Sequence, residues 1–120
     1  MTDFTGIVER YLAPWNETDP VKRRELIEQV FSDDATYTDP LGAVRGTAGL
    51  DQFIAAAQQQ FGGLSFSLGG KVDGHHDIAR FTWHLGPEGA EEPLAVGFDV
   101  IVVEDDRIRQ VHGFLDKVPG

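Results

Sequence analysis

Cysteine does not occur anywhere in the 120-residue sequence. Disulfide frameworks, thiolate nucleophiles and cysteine-ligated metal sites are therefore excluded. Basic side chains are also scarce, since ten Lys and Arg residues face twenty Asp and Glu residues and the formal net charge is -10. Nucleic-acid binding depends on clustered Lys and Arg, so a nucleic-acid partner is not expected. We expect the one basic cluster, at residues 22–24, to lie on the solvated side of a helix.

Long hydrophobic runs are missing as well. The longest apolar stretch, at residues 94–103, is far too short to cross a bilayer. The first residues lack the basic segment and apolar run of a secretory leader. We therefore expect a cytoplasmic protein without a membrane partner. The length and the 41% hydrophobic content predict one folded domain over residues 1–120.

The first half of the sequence has the apolar spacing of helices. A second helix is predicted to begin at Pro20 and to bury Phe31 near its end. A short strand over residues 35–39 follows, and a third helix is predicted over residues 47–61. The first helix is predicted from a stripe with spacings of three and four residues: Phe4, Ile7, Val8, Tyr11, Leu12 and Trp15.

In the second half, apolar and polar residues alternate with a period of two. This pattern predicts strands over residues 64–68, 78–85, 94–103 and 107–115. Helices followed by antiparallel strands predict an α+β domain, with three helices packed on a curved, mostly antiparallel sheet that encloses one apolar pocket. The strands are predicted to line this pocket with Phe81, Trp83, Leu85, Ala95, Ile101, Val111 and Leu115. The rest of the predicted ligand pocket consists of Trp15, Phe31, Tyr37, Phe53 and Ile54.

Asp99 interrupts the most apolar strand. An isolated buried carboxylate is costly, so this group must either find a partner or stay protonated. One interpretation is a structural ion pair with Arg80 or Arg109 on a neighbouring strand. The interpretation that we favour is a carboxyl group in the pocket.

Two further polar groups fall in apolar patterns. Asp39 precedes a proline at a strand end, where turn formation is common, but it shares a strand face with Tyr37 and can also point inward. Tyr11 lies in the apolar stripe of the first helix, as a core tyrosine or as part of a site. Two inward carboxyl groups and one inward phenol together suggest a functional site.

The histidines offer weaker signals. No metal site is expected at His75, His76 and Asp77, because adjacent strand residues point to opposite faces and no third nitrogen or sulfur ligand has a suitable spacing. A polar hairpin is the preferred interpretation. His112 is interpreted as a hydrogen-bonded histidine of the sheet, with the edge of a site as the alternative.

These residues resemble a known family. Residues 31–42, Phe-Ser-Asp-Asp-Ala-Thr-Tyr-Thr-Asp-Pro-Leu-Gly, resemble the segment of bacterial ketosteroid isomerases that carries the catalytic base, with Asp39 at the position of the base. The Phe-Asp-Val of residues 98–100, followed by a turn and Arg-Ile at residues 107–108, is similar to the strand pair that holds their second, protonated carboxyl. Tyr11, after an arginine, matches their oxyanion-hole tyrosine. The similarity covers nearly the whole chain.

The resemblance implies the cone-shaped fold of nuclear transport factor 2, shared by SnoaL-like cyclases and limonene-epoxide hydrolases. It also implies enolate chemistry without a metal or other cofactor, with Asp39 as the base and with Tyr11 and a protonated Asp99 as donors to the oxyanion. An isomerase or a cyclase of cyclic ketones would use this set. The alternative function is a non-catalytic module of the same fold that binds an apolar ligand or forms a dimer.

The sequence departs from the isomerase pattern at several positions. Phe31 and Ile54 stand where the isomerases have further tyrosines, and Leu115 replaces a tryptophan of the last strand. The epoxide hydrolases use an Arg-x-Asp pair, which does not occur in this sequence.

The strand at residues 94–103 is apolar on both faces, whereas helices can cover only one. An exposed apolar sheet face is typical of an interface, so we predict a homodimer through the outer face of the sheet. The outer-face residues expected at this interface are Arg80, Thr82, Phe98, Val100 and Phe114.

Overall fold

In the computed structural model, which describes residues 2–118, three helices and seven strands form one α+β unit. No helix among these residues is both long and apolar enough to cross a membrane. The helices are α1 (Phe4–Asn16), α2 (Pro20–Val30) and α3 (Gly46–Gln60). The strands are β1 (Phe31–Asp39), β2 (Gly42–Arg45), β3 (Ser65–Leu68), β4 (Asp73–His75), β5 (Ile78–Gly86), β6 (Ala95–Glu104) and β7 (Arg107–Lys117).

All seven strands belong to one sheet. Its strand order is β2-β1-β7-β6-β5-β3, and β4 also pairs with β5. The β1–β7 pair is parallel and the other pairs are antiparallel. The predicted architecture of three helices on a mostly antiparallel sheet is therefore confirmed. The parallel pair brings the end of β1 beside β7, next to the middle of β6.

Strand β6 shows how the sequence selects the two faces of the sheet. From Ala95 to Val103 its residues alternate between buried and half-buried positions. Asp99 lies on the buried face, and Phe98 lies on the outer face. Because Trp83 pairs with Gly97 in the β5–β6 register, it shares the inner face, as the alternation predicts.

One local prediction was wrong. Phe31 begins β1 instead of extending the second helix, because the backbone is already extended at this residue (φ -103°, ψ 147°). The side chain is nevertheless fully buried, so its apolar character fits either element. The polar hairpin predicted at residues 75–77 is confirmed, because β4 pairs with β5 in antiparallel register, with His75 opposite Ile78. The short strand β2 was not predicted, since it has only four residues and no apolar alternation.

The helices are joined by a buried polar network. Arg23 is only 7% exposed, which corrects the expectation of a solvated side chain. Its guanidinium donates to Asp51 at 2.8 Å and to Gln58 at 2.9 Å. The side-chain NH₂ group of Gln58 lies within hydrogen-bond distance of three carbonyl oxygens at the end of α1, which share its two N–H donors. These carbonyls belong to Pro14, Trp15 and Glu17. These bonds satisfy carbonyls that a helix terminus leaves open, and they fix the end of α1 against α3.

Candidate functional site

A cavity of about 310 Å³ lies between the helices and the inner face of the sheet. Leu41 and Val118 line it and are largely exposed, so they mark its mouth. The residues in its wall that were predicted from the sequence are Tyr11, Trp15, Tyr37, Asp39, Phe53, Trp83, Leu85, Ala95 and Leu115. Further wall residues that sequence reasoning missed are Leu12, Ala57, Gln60, Phe61 and Phe66.

Five residues assigned to the pocket lie elsewhere. The structure places them in the solid core behind the cavity, where each is almost completely buried. Periodicity identifies the inner face of an element but does not tell which inner positions border a void and which are filled by neighbours. These residues are Phe31, Ile54, Phe81, Ile101 and Val111.

Tyr11 connects the cavity to the core. Its ring packs edge-on against Phe31 and Phe81, with centroid separations of 5.8 and 5.7 Å. Its hydroxyl donates to Oδ2 of Asp99 at 3.1 Å. Burial raises the pKa of Tyr11 well above its usual value, and the charge of Asp99 raises it further. The phenol therefore stays protonated and is available as a hydrogen-bond donor.

Asp99 lies behind the wall of the cavity and is 1% exposed. Trp83 covers it: the indole lies over Gly97, where a Cβ atom would collide with the ring. Burial raises the pKa of Asp99 to about 7, although hydrogen bonds from Trp83 and Tyr11 oppose the shift. The charge of Asp39 adds to the increase of this pKa. Protonated and ionised forms of Asp99 are therefore both populated near neutral pH.

Asp39 lines the cavity and also forms the turn after β1. Its Oδ1 accepts the backbone N–H groups of Leu41 at 2.7 Å and Gly42 at 3.1 Å. Its Oδ2 accepts the Tyr37 hydroxyl at 2.6 Å. Asp39 is therefore both a turn residue and an inward carboxyl group, because Oδ1 binds the turn and Oδ2 binds Tyr37.

Gly113 on β7 separates the two carboxyl groups. It pairs with Asp99 on β6, while its neighbour His112 pairs with Thr38 on β1. A Cβ atom at this position would lie 2.9 Å from Oδ1 of Asp99 and 3.2 Å from Cβ of Asp39. The lack of a side chain therefore lets both aspartates approach the same point of the sheet. The sequence offers no signal for this role, since it depends on the register of three strands.

The ion-pair interpretation of Asp99 was wrong. Arg80 is bound to Asp73 and Arg109 to Glu104, each at 3.1 Å in exposed pairs on the surface. His75, the last residue of β4, and His76, in the turn that follows, are both exposed. Within residues 2–118, no group of three His, Asp or Glu side chains could hold a metal ion. His112 is exposed and lies 3.1 Å from Oε1 of Gln110, so its hydrogen-bond partner is a side chain on its own strand.

The family model of the SnoaL-like domain matches residues 8–111. This match includes Tyr11, Asp39 and Asp99. No curated protein is significantly similar to the chain in sequence.

Solved structures share the fold. A proposed isomerase of the SnoaL-like family from Agrobacterium tumefaciens is 41% identical, with a TM-score of 0.86 over 93% of this chain and 96% of that one. A proposed polyketide cyclase from Sinorhizobium meliloti is 17% identical, with a TM-score of 0.70 over 90% of this chain and 93% of that one. A protein from Catenulispora acidiphila with a ketosteroid isomerase-like fold, solved in complex with trimethylamine, is 19% identical, with a TM-score of 0.74 over 94% of this chain and 85% of that one. The last two similarities concern the fold alone.

Proposed function

Because the chain belongs to the SnoaL-like domain family, we propose that its cavity binds a small cyclic ketone and converts it through an enolate, by isomerisation or ring closure. One observation carries this proposal. Asp39 and Tyr11, a carboxyl group and a phenol, share the wall of one otherwise largely apolar cavity. A base and a donor on the same dry wall are the groups that enolisation requires.

In the proposed reaction, Asp39 takes a proton from the carbon beside the ketone carbonyl. The electron pair of that C–H bond forms the carbon–carbon double bond of the enolate, and the carbonyl π electrons move to the oxygen. In an isomerisation, Asp39 returns the proton to the far carbon of the conjugated system. In a ring closure, the enolate carbon forms a bond to a second carbonyl carbon of the same molecule as the first carbonyl group re-forms. The π electrons of the second carbonyl move to its oxygen, which takes the proton back from Asp39. Neither route needs a metal or another cofactor.

Tyr11 is the proposed donor to the enolate oxygen. Asp99 lies one layer behind it, so its proposed contribution passes through Tyr11. When Asp99 is protonated it can donate to the Tyr11 oxygen, and the Tyr11 hydroxyl proton is then directed toward the ligand. When Asp99 is ionised it accepts that same proton and competes with the ligand. The protonated form of Asp99 is therefore the active form in this proposal.

The charge of the wall favours an uncharged ligand. Among residues 2–118, no Lys, Arg or His side chain lines the cavity, whereas Asp39 does. A ligand carboxylate or phosphate would meet negative charge without a counter-charge, which is costly in an apolar site. A neutral ring with one carbonyl group matches the wall better.

One observation supports the alternative function, a binding module without turnover. Asp39 accepts three hydrogen bonds, two of them from its own turn, as a purely structural aspartate would. A binding module would hold the same neutral ligands but would not exchange their protons.

An assay with a cyclic β,γ-unsaturated ketone tests the proposed function. We expect the conjugated product to form, observed as an increase in ultraviolet absorbance, and the ligand to raise the melting temperature of the protein. A carboxylate analogue of similar size serves as the control and should not stabilise the protein. Stabilisation by the ketone without any turnover would support the binding module and contradict the enzyme.

We further propose a homodimer through the outer face of the sheet. On this face Phe98 is half-buried in the single chain, and Phe114 opposite it is 57% exposed. We expect sedimentation at micromolar concentration to give about twice the 13.2 kDa chain mass, and Phe114→Glu to give the monomer. Val21→Glu, at an exposed apolar residue of α2, is the control and should leave the dimer intact. A monomeric wild-type protein would contradict the proposal.

A further inference from the structure

Tyr37 and Asp39 form the shortest side-chain hydrogen bond among the described residues, at 2.6 Å. We propose that Tyr37 is a positioning residue, whose hydroxyl holds Oδ2 of Asp39 in the orientation from which it takes and returns the ligand proton. This inference rests on the proposed enolate chemistry, in which Asp39 is the base and Tyr11 the donor, and it gives Tyr37 a role beside them.

The two oxygens of Asp39 are not equivalent. Oδ1 accepts two backbone N–H groups in the turn, so neither of these donors can leave without opening the turn. Oδ2 accepts a single bond, from Tyr37. An ionised carboxylate oxygen can accept more than one hydrogen bond. Oδ2 is therefore the oxygen with capacity left for a proton from the ligand.

Tyr37 is held firmly enough to fix this oxygen. It is 3% exposed, and its ring packs against Phe53 and Trp15 with centroid separations of 5.1 and 5.7 Å. Burial raises the pKa of Tyr37, as do the charge of Asp99 and the bond to Asp39, so the hydroxyl remains a donor. A donor on a packed ring keeps the carboxylate from rotating about its Cβ–Cγ bond. Small displacements of a reacting group carry large costs in rate, so this restraint matters for proton transfer.

The hydrogen bond from Tyr37 to Asp39 also suits the second step of the reaction, in which Asp39 returns the proton to the ligand. In an isomerisation the same oxygen must release the proton to a different carbon. If the protonated carboxyl rotated, its proton would point away from the ligand. Tyr37 continues to restrain Oδ2 in that state, because the same oxygen can still accept the phenol O–H.

The alternative is that Tyr37 is only a core aromatic residue whose hydroxyl has found an acceptor. The variant Tyr37→Phe keeps the ring and removes the hydroxyl. If Tyr37 positions the base, we expect kcat to fall about tenfold with KM changed less than about twofold. Thr38→Val, at an exposed neighbour on the opposite face of β1, is the matched control and should change neither quantity.

Tyr11 on α1 lines the same cavity and Asp99 on β6 lies behind its wall, so the comparison needs a probe of Asp39 itself. The ¹³C carboxyl signal of Asp39, assigned by its loss in Asp39→Asn, should move in Tyr37→Phe but not in Thr38→Val, because the carboxylate loses the hydrogen bond from Tyr37. A decrease of kcat with an unmoved Asp39 signal would mean a structural role and overturn the proposal. A kcat at or above that of the wild type would overturn it as well.

Failure of the proposed function gives a different result. A wild-type protein without turnover on any enolisable ketone defeats the enzyme, whatever Tyr37 does. The Asp39 signal then decides the inference without activity. A moved Asp39 signal in Tyr37→Phe supports a carboxylate held by Tyr37 in a binding pocket, and an unmoved signal overturns the inference.

Discussion

Asp39→Asn is expected to abolish turnover and to leave ligand binding nearly unchanged. The asparagine side-chain oxygen can still accept the backbone N–H groups of Leu41 and Gly42, so the turn after β1 should form as before. It has no basic oxygen to take a proton from carbon. Removal of a positioned general base costs about 10²- to 10⁴-fold in rate, and we expect kcat to fall by about 10³-fold with KM little changed.

The experiment compares steady-state kinetics on the β,γ-unsaturated ketone for the wild type, Asp39→Asn and the control Asp33→Asn. Asp33 is an exposed aspartate on the same strand, so its replacement makes the same chemical change away from the cavity. Thermal shifts with the ketone report binding for all three proteins. Asp39→Asn with wild-type turnover would remove the base from the mechanism and favour the binding module. A loss of both turnover and binding would indicate that the turn itself had been disrupted.

Much of the fold could be predicted from the sequence, because periodicity reports which face of an element is buried. The alternation around Trp83 placed it on the inner face of β5, where it covers Asp99. The apolar strand around Asp99 correctly predicted that this carboxyl group is buried among apolar side chains. The boundary at Phe31 could not be predicted, since a buried aromatic residue fits the end of a helix and the beginning of a strand equally well.

The sequence could predict several residues of the site, but it could not predict the contacts between them. Tyr37 and Asp39 share a strand face in the sequence pattern, yet the direct hydrogen bond between them depends on the rotamers of both side chains. The layer that separates Asp99 from the cavity depends on where Trp83 lies, and the close approach at Gly113 depends on the pairing of three strands. Each of these features arises from contacts between distant segments, which local periodicity does not encode.

The burial that raises the pKa of Asp99 should also lower the stability of the folded protein at neutral and higher pH. In the unfolded chain this carboxyl loses its proton near its usual value of 3.8, whereas in the folded protein its pKa is about 7. The folded state therefore binds more protons than the unfolded state between these values. The contribution of Asp99 to stability is fully retained below pH 4, decreases as the pH rises, and becomes constant above about pH 7. The total loss amounts to about 4 kcal/mol.

Asp99→Asn should remove this dependence, because the amide does not ionise. Its side-chain oxygen can still accept the Tyr11 hydroxyl, so the packing around it should survive. We expect the free energy of unfolding of the variant to exceed that of the wild type by up to about 4 kcal/mol at pH 8 and to equal it near pH 4. Urea denaturation at pH 4, 6 and 8 measures the difference, and Asp116→Asn, at an exposed carboxyl of β7, is the control.

The turnover rate of Asp99→Asn shows whether the ionisable carboxyl, which lowers stability at high pH, contributes to the reaction. If protonated Asp99 directs the Tyr11 hydroxyl toward the ligand, the amide can donate to Tyr11 in its place, and we expect kcat to decrease modestly, by less than about tenfold. The pH dependence of kcat that arises from Asp99 should disappear. A variant that is more stable at pH 8 but slower would show that the ionisable group is retained for the site at the expense of the fold. A stability difference that is independent of pH would instead show that Asp99 has the same protonation state in the folded and unfolded chains, and the proposed role of its protonated form would then have no basis.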